Sequence, residues 1–249
     1  MSKKNEVVAQ ASTEVAVSAE SSGTFGSQIS AEDIILPKIL LMQSISELVE
    51  DDTNAAKSGD FVHSLDEVVV GSKANNPVEF IALGMYKTIQ TFEDNKYVKT
   101  ESWSPELAQL AYEETLGGKV VNRNTVMNYY VIRPSDIESM QVFPFVISFK
   151  RTSLKGGKKL ATKLMMLEEF GAEMYAKTFK LVAKQEEGDK GKYYVMDIVD
   201  GRKSNEVEIK QAIKWTSRLA ASEVKVHESD EADAAVKAAP AAGDSTINF

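Results

Sequence analysis

The sequence predicts a mainly β fold with a few helices, of the α+β class, and three observations carry that expectation. Between Val78 and Val199, segments with apolar residues at alternate positions recur between turn-forming clusters, which is the period of half-buried strands. One stretch near the middle of the chain changes from that period to a helical one within a few residues. Both ends lose apolar periodicity altogether, which confines the folded part to the interior of the chain.

Residues 1 to 30 are rich in Ser, Ala, Glu, Thr and Gly and read as a disordered arm. From Ile34 an apolar block begins, broken by Pro37 in Ile35-Leu36-Pro37-Lys38-Ile39, which favours an extended approach and a short packing element after it. Asp51 to Lys57 reads as a turn, and Gly59-Asp60-Phe61-Val62 resumes the ordered part. Val78 to Ile89 and Lys96 to Trp103 make a hairpin around Glu93-Asp94-Asn95. Ser104-Pro105-Glu106 has the form of a helix start with Pro at the first position, and a helix is expected from Leu107 to Leu116, stopped by Gly117-Gly118. Val126 to Ile132 is a third strand. Met174 to Val182 and Lys192 to Val199 form a second hairpin, and a last helix from Glu206 to Leu219 is expected to bury Ile209, Ile213 and Trp215.

The stretch from Val142 to Leu167 contains six cations and no acidic residue. Its first part reads as a strand with Phe143, Phe145, Ile147 and Phe149 on one face and Val142, Val146 and Ser148 on the other. Lys150 and Arg151 follow. Lys155, Lys159 and Lys163 then fall at i, i+4 and i+8 with Lys158 beside them, while Leu160, Leu164 and Leu167 share another side. Gly156 and Gly157 disfavour a helix by roughly 1 kcal/mol each relative to alanine, so the first turn is open to a loop reading. Several fixed cations on one face can together release counterions from a polyanion. A solvated helix face has the same pattern, and the stretch alone leaves both readings open.

Strands, then a helix, then a closing hairpin is the order of an OB-type β-barrel with its helix between the third and fourth barrel strands. Six strand candidates are present where five would suffice. The expected organisation is therefore an arm at 1–30, one OB-type domain at 31–219, and a disordered acidic tail at 220–249.

Composition narrows the function classes. The 249 residues include no cysteine and only two histidines, His63 and His227, which excludes disulfides and thiolate metal centres. No apolar run approaches the roughly 20 residues that span a bilayer, and the N-terminus has no secretory pattern, so a cytoplasmic protein with no membrane partner is expected. The net charge of −8 is unevenly placed, at −9 over residues 31–140 and +6 over 141–218. Binding responds to the local field within about 10 Å, so the acidic total does not argue against a polyanionic partner. No phosphate-loop, nucleophile-elbow or paired-histidine signature is present, no cofactor is implied, and an enzyme is not expected. Asp197 and Asp200 at a strand end could bind a metal, although turn carboxylates are more often structural.

Sequence-tolerant binding of a single strand needs aromatic rings among cations, because every base offers a π face. Tyr86, Tyr97, Trp103, Tyr129, Tyr130, Phe149, Tyr193 and Tyr194 lie on or beside strands, where most aromatics are core. Tyr97, between Lys96 and Lys99, and Trp103, at a strand end, are best placed for stacking, and Tyr130 and Phe149 join them as candidates. Beyond residue 219 the chain turns acidic and Ala-rich, then ends in Ser245-Thr246-Ile247-Asn248-Phe249.

That ending resembles the C-terminal tail of single-stranded DNA-binding proteins, an acidic tether with a hydrophobic tip that docks onto replication and repair partners. The ordered part resembles the phage-encoded members of that class through Ile35-Leu36-Pro37-Lys38-Ile39, Gly59-Asp60-Phe61, Phe145 to Lys155 and Gly191-Lys192-Tyr193-Tyr194. The resemblance implies a protein of the bacterial host cytoplasm that coats single-stranded DNA during replication or recombination, and a homo-oligomer is among the expected partners. Phosphates would be held by Lys150, Arg151, Lys155, Lys158, Lys159 and Lys163, bases by the aromatics, and replication or recombination proteins by Ile247 and Phe249. The competing expectation is a phage protein-interaction or transcription-cofactor module whose basic face meets an acidic protein.

Overall fold

The computed structural model describes residues 35–50, 56–72, 76–188, 191–220 and 225–226. The first strands, β1 (Ile35–Leu36) and β2 (Lys38–Leu41), are divided by Pro37, and a one-turn helix α1 (Glu47–Glu50), β3 (Phe61–His63) and β4 (Val69–Gly71) follow. The centre consists of β5 (Val78–Glu93), β6 (Lys96–Ser102), α2 (Pro105–Ala108), β7 (Glu113–Leu116), β8 (Lys119–Ile132), α3 (Pro134–Glu138) and β9 (Phe145–Lys150). The last part comprises α4 (Leu154–Glu169), β10 (Lys177–Gly188), β11 (Gly191–Lys203), α5 (Glu206–Ala220) and β12 (Lys225–Val226), which pairs parallel with β1. The expected arm and the tip residues Ile247 and Phe249 lie outside the described residues.

The mainly β, α+β class holds, but the barrel does not close. The strands run β11-β10-β5-β8-β9-β2-β3-β4 in one open mixed sheet, with β6 added to the far half of β5 and β7 to the near half of β8. A barrel built on β5, β8, β9, β10 and β11 would need a ladder between β9 and β11. The edge of β9 is instead taken by β2, which runs parallel to it with Lys38 opposite Val146 and Ile39 opposite Ile147. Side chains occupy the edge of β11 at three alternate residues. The Gln43 amide both donates to the Tyr194 carbonyl at 2.8 Å and accepts from the Tyr194 N–H at 3.0 Å. Ser153 Oγ accepts from the Met196 N–H at 3.0 Å, and Asp197 Oδ1 accepts from the Ile198 N–H at 2.7 Å. An edge whose outward donors are capped in this way has little left to offer another strand.

One core lies inside the curve of the sheet and is plugged by α4. Ile39, Phe61, Phe80, Tyr129, Phe145, Ile147, Phe149, Phe179, Leu181 and Ile198 meet there, with Leu160 of the helix at their centre. The glycine pair is part of α4, contrary to the loop reading. A Cβ at Gly157 would stand 2.7 Å from Phe149 Cβ, and one at Gly156 would collide with the Met196 carbonyl. Close approach of the helix to β9 and β11 therefore outweighs the propensity cost. The Tyr129 hydroxyl donates to the Gly157 carbonyl at 2.7 Å in the same contact, and burial raises that phenol's pKa.

A second cluster covers the outer face, where α5 packs on Ile81, Leu83 and Ile132. Its buried stripe is Glu208, Ala212, Trp215 and Leu219, whereas Ile213, expected inside, is 46% exposed. The stripe is rotated because Glu208 points inward. Asn205 and Glu208 cap the helix reciprocally, with Glu208 N–H to Asn205 Oδ1 at 2.9 Å and Asn205 N–H to Glu208 Oε2 at 2.7 Å, the capping-box arrangement. Arg202 then grips the same carboxylate with both terminal nitrogens, at 2.9 and 2.6 Å.

Two further expectations change. The helix after Ser104 stops at Ala108, although Ser104 Oγ does cap it by accepting from Leu107 N–H at 3.2 Å. Glu113 to Leu116 instead zips onto β8 through Gly117-Gly118, at φ 58° and 83°, the paired positive values a two-residue hairpin turn requires. The strand around Phe145 begins after Pro144, so Phe143 leaves the predicted row and sets its ring edge-on against Trp215 at 5.9 Å.

Candidate nucleic-acid interface

The far half of β5 brings cations and aromatic rings together. Across the turn at Asp94-Asn95, Phe92 faces Tyr97 in register, and their rings meet edge-on at 6.0 Å. Arg151, at the end of β9, lays its guanidinium over the other partner of that pair, 5.3 Å from the Phe92 centroid, within the range of cation–π attraction. Arg151 adopts φ 48°, a left-handed conformation uncommon for a residue other than glycine. The chain turns sharply there from β9 into the single 3-10 turn that leads to α4. Two residues singled out from the sequence, Arg151 and Tyr97, thus share one ring.

A second pair forms where β6 carries a bulge. The register passes from Phe92 opposite Tyr97 to Thr91 opposite Lys99, leaving Val98 extra. This one-residue slip brings Trp103 N–H to the Lys87 carbonyl at 3.1 Å and Lys87 Nζ to 5.0 Å over the Trp103 ring, which is 39% exposed. The third pair is Tyr86 with Tyr130, centroids 5.0 Å apart; burial raises the pKa of Tyr130, opposed by its hydrogen bond to Tyr86. Beside them Asn128 donates to Thr88 Oγ1 at 3.2 Å and accepts from Ser148 at 2.7 Å, tying β5, β8 and β9 together with polar side chains. Lys150 sits on β9 opposite Val126.

The lysines of α4 divide into two sets. Lys155 and Lys158 are exposed. Lys159 is 2.9 Å from Asp197, and Lys163 is 2.8 Å from Asp200, which also takes Lys177 at 2.9 Å. Partial burial works against the charge of Asp197, yet the Lys159 and Ile198 N–H donors hold its pKa below the usual carboxylate range. Lys163 and then Lys177 hold Asp200 low. The two carboxylates considered for a metal are thus bonded to ammonium groups, and among the described residues no cluster suited to a metal is found.

Phe149 does not join this surface. It is 0% exposed, edge-on to Tyr129 at 5.7 Å and pressed against Gly157, so it is core and cannot stack on a base. Sequence reasoning missed Tyr86, Lys87 and Phe92 as partners of the chosen residues, and β5 supplies all three. A signal for one of them was available: a two-residue turn at Asp94-Asn95 fixes Phe92 opposite Tyr97 by counting alone.

A separate cavity of about 300 Å³ is lined by His63, Asp66, Arg133, Asp136, Gln141 and Phe145 among others. Asp136 holds Arg133 there with bonds of 2.8 and 2.6 Å. Burial lowers the His63 pKa, opposed by Asp66, whose carboxylate is 3.2 Å from Nδ1 but not aligned for a hydrogen bond.

No helix among the described residues is long and apolar enough to cross a membrane. The profile of a family described as Pam3 phage gp34-like protein matches residues 3–225. No curated protein and no solved structure matches the chain.

Proposed function

The chain belongs to the Pam3 phage gp34-like protein family, and from that premise we propose that it is a phage single-stranded DNA-binding protein acting during replication or recombination in the host cytoplasm. The observation that carries the reading is Arg151 held over the buried ring of Phe92 beside the half-buried Tyr97, with Lys87 over the exposed Trp103 further along β5. Rings held beside cations suit a strand whose bases stack while its phosphates are neutralised. Exposed Lys155 and Lys158 extend the basic character along α4. The tail, with Ile247 and Phe249 at its tip, would recruit partner proteins and compete with DNA for the basic face.

The test is fluorescence anisotropy of a labelled oligo-dT with the full chain at two salt concentrations, with duplex of equal length alongside. The reading expects preference for the single strand, with log K falling by about 0.7 per neutralised phosphate for each tenfold rise in salt. Equal affinity for duplex, or no binding at low salt, sinks it. The second reading, a protein-interaction module, draws on the exposed apolar end of α4, where Met165 and Met166 are more than half exposed and Phe170 is 85% exposed. It predicts no oligonucleotide binding and capture of an acidic protein by the same face.

A further inference from the structure

Lys155, Lys159 and Lys163 form one row along α4, each a turn from the next. Lys177, at the start of β10, prolongs that row through the carboxylate it shares with Lys163. Two aspartates of β11 interrupt it. Asp197 Oδ1 lies 2.9 Å from Lys159 Nζ, while the two oxygens of Asp200 are divided between Lys163 at 2.8 Å and Lys177 at 2.9 Å. Neither carboxylate is sealed from solvent: their side chains are 31% and 49% exposed. A phosphate can therefore reach the same ammonium groups. A carboxylate that accepts from one or two lysines offers them what a phosphodiester oxygen would offer, a charged acceptor at hydrogen-bond distance.

Resting on the strand-binding reading, we propose that Asp197 and Asp200 are built-in phosphate surrogates that keep the second half of the α4 basic row latent, so that a strand must displace them to engage Lys159, Lys163 and Lys177. The fold makes the arrangement specific. The helix is fixed to β11 by the glycine contact at Met196 and by the Ser153 hydrogen bond to the same residue. This anchoring presents the lysine row to the very strand that bears the two acids. The site at rest consists of Arg151, Lys155 and Lys158 with the rings of Tyr97 and Trp103, and the latent lysines enlarge it when the carboxylates are displaced. Partly exposed ion pairs are weak enough for a polyanion to exchange. The device thus sets a threshold for binding and does not block it.

The experiment compares oligo-dT binding by the full-length wild type, Asp197→Asn/Asp200→Asn, Lys159→Gln/Lys163→Gln and the four-fold combination across a salt series, with thermal melts to establish that each is folded. Glu169→Gln, exposed on the same helix, removes one negative charge without opening the row. The lock predicts that the double Asn variant binds roughly threefold tighter per released pair at low salt. Its salt slope steepens by up to about 2.1, that is, three additional phosphates. The gain should shrink in the four-fold combination to what Lys177 alone supplies, and Glu169→Gln should leave the slope unchanged. Wild-type binding with the same slope in the double Asn variant, or a gain that survives undiminished the loss of Lys159 and Lys163, overturns the lock alone. Absence of binding by the wild type and by every variant overturns the strand-binding reading and the lock with it.

Discussion

The two halves of β5 are one continuous strand with two different surroundings. From Val78 to Leu83 it is buried on both faces, with Phe80 in the central core and Ile81 and Leu83 under α5. From Tyr86 to Glu93 it keeps Ile89, Thr91 and Phe92 buried, while its side chains meet the Arg151 guanidinium and the rings of Tyr97, Trp103 and Tyr130. The change falls at a bulge, where the register against β8 passes from Ala82 opposite Val131 to Gly84 opposite Tyr130 and leaves Leu83 extra. A bulge bends and twists a strand, and Leu83 fills the outer cluster at that point, its carbonyl accepting from Thr216 of α5 at 3.4 Å. The near half is thus held by apolar burial and the far half by β6, β8 and side-chain pairs. Mutations should separate the halves, with stability governed by one and strand binding by the other.

The largest effect is expected in the central core under α4. Phe149→Ala removes a fully buried ring that both Tyr129 and the α4 glycines contact. The loss should be about 3–5 kcal/mol in denaturant unfolding. Next is Arg202→Ala, which strips two hydrogen bonds from the buried carboxylate of Glu208 and should cost about 2–3 kcal/mol. Its sign with pH is fixed: Arg202, above all, lowers the Glu208 pKa in the folded state. The stabilisation is complete above the unfolded value and is lost as pH falls through the folded one. Acid titration of the melting temperature should therefore show a shallower decline in the variant than in the wild type.

At the seam, Gln43→Ala should cost about 1 kcal/mol and speed hydrogen exchange at the Tyr194 amide, leaving oligonucleotide affinity unchanged. In the far half, Arg151→Ala should cost no more than about 1 kcal/mol of stability, the scale of the one cation–π contact it loses, while weakening oligo-dT binding about fivefold at low salt through loss of a phosphate contact. If Arg151→Ala unfolds the protein, or Gln43→Ala weakens DNA binding as much, the division between the halves fails.

The hairpins and α4 were legible because their signals are local: alternation, turn residues and a 3.6-residue period. The open seam was not, since nothing in the sequence near Lys38 announces that it runs parallel to a strand more than a hundred residues later. Phe149 was misread for a related reason. Alternation placed it correctly beside Phe145 and Ile147, but a strand face carries no mark of whether a helix covers it. The Lys87–Trp103 pair depends on a bulge at Val98, and a single extra residue shifts every later partner by one. The glycine pair showed its cost in propensity and hid its reason, which is the contact with Phe149 and Met196.

The most direct test of the central claim, that the far half of β5 is where a strand binds, is the emission of Trp103 in a Trp215→Phe background, where it is the one remaining tryptophan. Titration with oligo-dT should quench that emission along the same curve that anisotropy follows. Anisotropy that reports saturable binding while Trp103 emission stays constant would contradict the account.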